Sequence, residues 1–600
     1  MRRHSRVAMA ISVIAVAVTV LAGCGSSSKG GNGGNGGSTT SSGSSGNGGS
    51  TTSAAYNAAF DKVVNPSTKT GGTLNLLSNA DCDSWDPQRT YYGWCWNMQR
   101  LFTRSLIGYS GLNGTKFTLA PDLATTMGTH NADYTQWTYT LKPGLKFSNG
   151  QPITPNDVRY GIERLWATDV INGGPSSYFL QGIKAPAKYA GPYKNGDNTT
   201  GMTTTSNSIT FHLTGPNANF DYLLAMCATG PVPDKVEGGA GFKGATYTKH
   251  PVASGPFMIQ SYTPATQITF VRNPDWSQST DTIHHPLVSK VVLTIDTSST
   301  DIDSKLKAGT ADANASFTVS AAFQAQILTD PTLKKNADDP VTAFTRYLTV
   351  MPSVITNIHC RQAIFYAVDK AAFLQAYGGA VGGQVAGSFT PPGIEGNDPS
   401  LNPYPSGSGN TGDVTKAKQE LALCGKPNGF AVNFAYATPS PQAASAFKAE
   451  QSALARVGIQ ATPKTQDSSS YYSTFIGSPR NIVSQKIGIA AAGWGADFPT
   501  PVGFYNAIAN GASIVQTGNS NYPSLNDPVI NTLLDNGPKG TNTEADWKKL
   551  DAQLLADAVY IPMYWGKDLY YRNPRLTNVT CDNALAFGIY DFVNVGTGGS

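Results

Sequence analysis

The stretch Trp137-Thr138-Tyr139-Thr140-Leu141-Lys142-Pro143-Gly144-Leu145-Lys146-Phe147-Ser148-Asn149-Gly150 runs on into Ile153-Thr154-Pro155-Asn156-Asp157-Val158. Apolar and polar residues alternate on both sides of Pro143-Gly144, which predicts a β-hairpin over residues 137–147. Thr154 then offers a helix N-cap. Pro155 sits at the first helical position, where its missing N–H costs nothing, and Asp157 falls in the first turn. A helix running towards Trp166 is expected.

Outward from this stretch the chain keeps switching period. Gly72-Thr73-Leu74-Asn75-Leu76-Leu77 reads as a strand entering a core, and residues 267–271, 290–295, 431–436 and 487–492 read as further strands. Residues 360–377 and 442–457 have helical periodicity. Strands alternating with helices predict an α/β fold. Six hundred residues exceed one core, which stops growing at roughly 250–300 residues, so at least two lobes are expected. The net charge is only +4 and the basic residues are dispersed, which argues against a nucleic-acid partner.

The N-terminus carries an address. Arg2, Arg3 and Arg6 precede a short apolar run over residues 11–20, and Leu21-Ala22-Gly23-Cys24 follows. A basic start, a short apolar core and small residues at the cleavage point describe a secretory signal, and the run is shorter than the ~20 residues of a membrane-spanning helix. The order Leu-Ala-Gly-Cys resembles the lipobox of bacterial lipoproteins, which implies cleavage after residue 23 and a lipid on Cys24. The residues from 25 to about 55 are nearly all Gly, Ser, Thr and Asn. They read as a flexible tether with a reach of roughly 30 Å. The folded part is expected from Gly71.

Six cysteines remain: Cys82, Cys95, Cys227, Cys360, Cys424 and Cys581. An even number in an exported chain suggests disulfides, with 15 connectivities open. Pairing Cys82–Cys95 and Cys360–Cys424 joins near neighbours and leaves Cys227–Cys581. No CxxC spacing points to zinc.

Several ordered blocks carry a family resemblance across residues 71–595. Gly71-Gly72-Thr73-Leu74, Asp86-Pro87 and Leu119-Ala120-Pro121-Asp122-Leu123-Ala124 lead into the stretch quoted first. Ser254-Gly255-Pro256-Phe257 and Arg272-Asn273-Pro274 follow. Then come Arg361-Gln362-Ala363-Ile364, Ala367-Val368-Asp369-Lys370 and Gly493-Trp494-Gly495-Ala496-Asp497-Phe498-Pro499, with Ile561-Pro562-Met563 near the end. In this order they resemble the large extracellular solute-binding proteins of ABC importers, the oligopeptide- and dipeptide-binding (family 5) type. The resemblance implies a two-lobed periplasmic-binding-protein-like clamp, type II, of the large class with an extra subdomain. Lobe I is then expected over 71–338, with the subdomain inserted at about 113–245. Lobe II is expected over 339–555, with a return to lobe I over 556–600.

The resemblance places Asp497 at the mouth of the interlobe cleft, where peptide-binding members pair an Asp with the ligand's α-amino group. A carboxylate meeting an ammonium away from water forms a short, charge-assisted hydrogen bond. Trp494 would wall the same cleft, and Tyr91, Tyr92, Trp94 and Trp96 would line the other side. Some relatives carry Arg just before Gly-Trp for a ligand carboxylate; here the residues are Ala490-Ala491-Ala492. The implied partners are a peptide or small solute, an ABC permease, and the membrane through the lipid anchor on its extracytoplasmic face. The protein is expected to be a monomer without cofactor or metal.

An enzyme or a sensor lipoprotein is the other class of function. The sequence has no GxSxG, HExxH or GxxxxGK[ST]. His284-His285 are adjacent and face one site poorly, and a hydrolase would need a nucleophile and a base within reach of each other.

Overall fold

Thr73–Ser78 lies parallel to Lys290–Ile295, with Leu74 opposite Val291 and Leu76 opposite Leu293. These apolar positions alternate onto one buried face, and each fully buried Leu or Phe there contributes roughly 1.5–3 kcal/mol. The structure is a computed structural model. It describes residues 56–600 apart from 112–116, 172–173, 197–200, 234–246, 317, 517, 582–587 and 599–600. The first sheet has the order Ala313–Asn314, Thr73–Ser78, Lys290–Ile295, Gln267–Arg272, Phe257–Thr263. Its core holds Leu74, Leu76, Phe257, Phe270 and Leu293.

A second sheet has six strands in the order Gly383–Val385, Tyr560–Lys567, Val341–Val350, Ile487–Gly495, Ala431–Thr438, Gln460–Asp467. It is covered on both faces, so its central strands are apolar nearly throughout. Ile358–Ala367, Lys370–Ala376, Val414–Leu423 and Pro441–Ala455 pack on one side. Pro501–Ala509, Pro528–Asn536 and Glu544–Ala556 pack on the other. A smaller four-stranded sheet has the order Thr129–His130, Gln136–Thr140, Ser208–His212, Met202–Thr204 and a core of its own.

Two α/β lobes are thus built on the two large sheets, and the chain crosses between them twice, side by side. On one side of the crossing Ala337–Asp338 pairs with Tyr570–Tyr571; on the other Val341–Val350 pairs with Tyr560–Lys567. Asp338 fixes the lobe I end: it receives Arg572, the Tyr590 hydroxyl at 2.7 Å and the Ala59 N–H at 2.8 Å. Beside it, Asp339 receives Lys567 and the Tyr56 hydroxyl.

Several expectations change. Gln136–Thr140 does not fold back onto residues 145–147. It pairs with Ser208–His212, bringing Trp137 opposite Phe211 and Tyr139 opposite Ile209. That distant partner sets an aromatic and a β-branched side chain directly across from Trp137 and Tyr139, while Leu145 and Phe147 enter the same core without pairing as a strand. The helix after Thr154 forms as expected, Pro155–Glu163, with a capping box between Thr154 and Asp157 and a 3-10 turn on to Trp166. The helix expected over 360–377 is two, because Val368 is extended and Asp369 caps a new helix by accepting from the Ala372 N–H.

The folded part begins at Tyr56 rather than Gly71. Ala58, Ala59 and Val64 are buried, and Val64 pairs with Val579, so 56–70 is docked chain and not tether. The second lobe also runs past 555, since Tyr560–Lys567 is still a strand of its sheet. The bridges Cys82–Cys95 and Cys360–Cys424 are present, with Cα separations of 5.8 and 5.1 Å. The third pairing, Cys227–Cys581, is not formed. The Cys227 thiol points at the Trp96 carbonyl, while Cys581 is buried in the lobe I core. Cys24, the signal at 1–23 and the tether up to 55 lie outside the described residues.

Candidate functional site

The strand Ile487–Gly495 lies between Val341–Val350, antiparallel, and Ala431–Thr438, parallel. Its last residues alternate. Ala492 and Trp494 face the core that holds Phe504 and Tyr505, and the indole N–H of Trp494 donates to the Phe504 carbonyl at 2.6 Å. Gly493 and Gly495 take the other face, opposite Arg346 and Phe344 on the neighbouring strand. A β-carbon on Gly493 would run into the Arg346 guanidinium, and one on Gly495 into the Phe344 ring. The two glycines therefore let those side chains lie across the strand.

Beyond the strand the chain turns into the helix Pro501–Ala509. Thr500 caps that helix by accepting from the Gly503 N–H at 3.1 Å. Asp497 sits in this turn, at the carboxyl end of a strand, where ligands of open α/β sheets bind. Its Oδ2 accepts from the Tyr91 hydroxyl at 2.9 Å and from the Tyr178 hydroxyl. Tyr91 precedes the helix Gly93–Gln99, and Tyr178 lies in Ser176–Gly182. Phe498 packs edge-on to Tyr178, with ring centroids 5.8 Å apart, and is stacked with Tyr222 at 6.0 Å, inside the core of the four-stranded unit. A second contact joins the same parts: the Ala218 N–H donates to the Pro538 carbonyl at 2.7 Å.

Asp497 is thus a half-buried carboxylate of the second lobe held by two phenols, Tyr91 before the helix Gly93–Gln99 and Tyr178 in Ser176–Gly182. Burial pushes its pKa up, and the Tyr178 and Tyr91 hydroxyls pull it back only in part. Burial, and then the Asp497 charge, push both phenols up in turn. Among the described residues no Lys, Arg or His forms an ion pair with Asp497. A carboxylate so placed favours a cationic partner, because hydrogen bonds from neutral donors do not cancel its charge.

The four aromatics expected opposite Asp497 divide. Tyr91 reaches it. Tyr92 is exposed, and Trp94 and Trp96 are a correction: both are buried, Trp94 in the lobe I core and Trp96 in that of the four-stranded unit. They sit on the inward side of a helix, and the Trp96 indole is spent on the Thr90 carbonyl. Tyr178, Tyr222 and Phe498 were not legible as site residues. Asp122, Asp281 and His284 cluster closely enough for a metal, but their atoms are already engaged. Arg104 Nε lies 2.7 Å from Asp122 and 3.1 Å from Asp281, and His284 lies 2.9 Å from Asp281. That cluster is a buried ion network.

The family profile described as "Bacterial extracellular solute-binding proteins, family 5 Middle" matches residues 118–515. The chain belongs to this family. Among curated family 5 relatives, Heme-binding protein A of Haemophilus influenzae is 26% identical over 464 residues, covering 74% of this chain and 78% of that one. An oligopeptide-binding protein of Bacillus subtilis is 23% identical over 464 residues, covering 74% and 79%. The solved structure of "Clavulanic acid biosynthesis oligopeptide binding protein 2" superposes with a TM-score of 0.86 at 35% identity, covering 91% of this chain and 99% of that one. As a family 5 protein, the chain is a two-lobed α/β solute-binding clamp of the large type II class. Among the described residues, no helix is long and apolar enough to cross a membrane.

Proposed function

We propose that this chain captures a peptide, or a small solute with a peptide-like free amine, between its lobes. It then hands the solute unaltered to a membrane ABC permease. It does so as a monomer held outside the cell membrane by an acylated Cys24. Lobe I runs from Tyr56 to 338 with the subdomain inserted at about 113–245, and lobe II from 339 into the strand ending at Lys567. The observation that carries the ligand class is the Asp497 carboxylate, which has no ion-pair partner among the described residues and meets two tyrosine hydroxyls across the cleft. An ammonium entering there replaces neutral donors with a charge. The names of oligopeptide- and dipeptide-binding relatives support the same class. Closure follows from the ligand's higher affinity for the closed state, with no bond made or broken.

The test is a thermal-shift panel of free peptides, their N-acetyl counterparts, sugars and metal ions. A bound ligand raises the melting temperature by mass action. Free-amine peptides are expected to raise it and acetylated ones not. Turnover of a chromogenic ester with no solute stabilising the fold overturns the receptor reading. For the anchor, Cys24→Ala is expected to release the protein into the medium, and retention on membranes overturns the lipid assignment.

A further inference from the structure

The strand that leads to Asp497 has a second cavity at its other end. Lys486 precedes Ile487–Gly495 and Asp497 follows it, so nine strand residues at about 3.3 Å each put about 30 Å between the two. At the Lys486 end lies an open cavity of about 690 Å³, within the range of ordinary ligand pockets. Ligands of open α/β sheets bind at the carboxyl ends of strands, as Asp497 is placed to do. This cavity sits instead at the amino ends of Ala431–Thr438 and Ile487–Gly495.

Its floor is apolar, lined by Val354, Ile355, Phe430 and Val432. Gly488 lets that floor close up: a β-carbon there would run into a Val432 methyl and crowd Ile355 Cδ1 at 3.1 Å. The bridge Cys360–Cys424 forms one wall and ties the start of Ile358–Ala367 to the end of Val414–Leu423. Three aliphatic side chains stay exposed on or next to lining residues: Val483 itself, Ile358 beside Asn357, and Leu423 beside Cys424. An exposed apolar patch with a polar rim marks an interaction site.

The charge in the lining has one sign. Lys426 and Lys486 are the only charged side chains among the described residues that line it, and neither has a carboxylate partner among the described residues. Lys486 also keeps its side chain against the backbone's preference. The helix Pro479–Ser484 ends at Gln485, and Lys486 beyond it takes a φ of 52°, the left-handed position that glycine or asparagine usually fills. The Asn433 amide N–H donates to the Gln485 carbonyl at 2.8 Å, which pins the helix end, and Lys486 with it, to the rim. Side chains strained in this way cluster at functional sites.

We propose that this cavity is a second ligand site, which takes a single-chain amphiphile with an anionic head. The alkyl chain lies on the floor of Val354, Ile355, Phe430 and Val432, and the head meets Lys426 and Lys486. Exposed ion pairs contribute little by themselves, so the chain supplies the affinity and the lysines select the sign of the head. The site is independent of the interlobe cleft and of the amine-binding role given to Asp497.

The test titrates decanoate, decanol and decyltrimethylammonium, each as a monomer in solution, calorimetrically into the full chain. The variants are Thr462→Trp and the double variant Lys426→Gln/Lys486→Gly. Thr462 lines the cavity from an exposed position on the edge strand Gln460–Asp467, where a tryptophan fills the space. Glycine suits the left-handed position at 486, so the double variant is expected to melt no lower than the wild type. Far-ultraviolet circular dichroism and melting temperature are the folding control for both. The wild type is expected to bind one decanoate, at least about tenfold more tightly than decyltrimethylammonium. The double variant is expected to lose that preference and to bind decanol as the wild type does, and Thr462→Trp to weaken decanoate at least about tenfold. Equal binding of the anionic and cationic chains by the wild type, or a preference that survives in the double variant, overturns the anionic class and the role of the lysines. Decanoate binding undiminished in Thr462→Trp puts the ligand elsewhere and overturns the site, as does no binding by the wild type.

Discussion

The paired strands at the crossing between the lobes and the two strands that carry Arg346 and lead to Asp497 both hold half-buried or buried charge, yet they treat it in opposite ways. At the crossing, Asp338 is fully buried and meets Arg572, a tyrosine hydroxyl and a backbone N–H. Asp338 is paired with Arg572 and Asp339 with Lys567, as a buried ion needs if it is to be tolerated. A few residues on, Arg346 has no ion-pair partner among the described residues, and Asp497 is met by neutral phenols alone. Completed pairs hold a fold, and incomplete ones leave interaction energy for a guest.

The largest expected effect breaks the structural side. Asp338→Ala leaves Arg572 buried and unpaired, and is expected to cost about 3–5 kcal/mol in urea unfolding. On the functional side, Asp497→Asn is expected to weaken a free-amine peptide by about 2–5 kcal/mol in calorimetry. Its unfolding midpoint is expected to stay close to the wild type's. Arg346→Met sharpens the contrast further: removing a charge that has no partner is expected to leave unfolding stability within about 1 kcal/mol of wild type, or to raise it. An unfolding cost like that of Asp338→Ala would place Arg346 with the structural pairs.

Acidity supplies a smaller effect with a definite sign. Asp497 has its pKa raised by burial above its ordinary value of 3.8. An ammonium binds its charged form, so affinity is expected to fall as pH is lowered, starting above the ordinary carboxylate range. The ligand-free fold moves the other way. A raised folded pKa contributes stability that is full below 3.8 and lost as pH rises through the folded value. Asp497→Asn should flatten both profiles. The smallest effect is that of Tyr178→Phe. It removes a hydroxyl that stabilises the charged carboxylate, so the pH midpoint for binding is expected to move upward.

What could be read from the chain was local. The helix start at Thr154, the strand over 290–295 and the switch of periods are set by neighbours in sequence, and all appear. Strand partners were not legible: Trp137 pairs with Phe211, and the two halves of the expected hairpin part company. The cleft was half legible. Asp497 stood out in its motif, but its partner Tyr178 lies 319 residues away, in a helix with no distinguishing pattern. Arg346 did leave a trace: one charge in the middle of the apolar run Ala343-Phe344-Thr345-Arg346-Tyr347-Leu348. Trp94 and Trp96 misled because aromatic spacing looks alike whether it faces a ligand or a core, and only the helix beneath them decides.

The most direct measurement is calorimetric titration of one short peptide and its N-acetyl twin into the wild type and Asp497→Asn. Tight one-to-one binding confined to the free amine and the wild type is the predicted result. Equal affinity for the acetylated twin, or binding undiminished in Asp497→Asn, would contradict it.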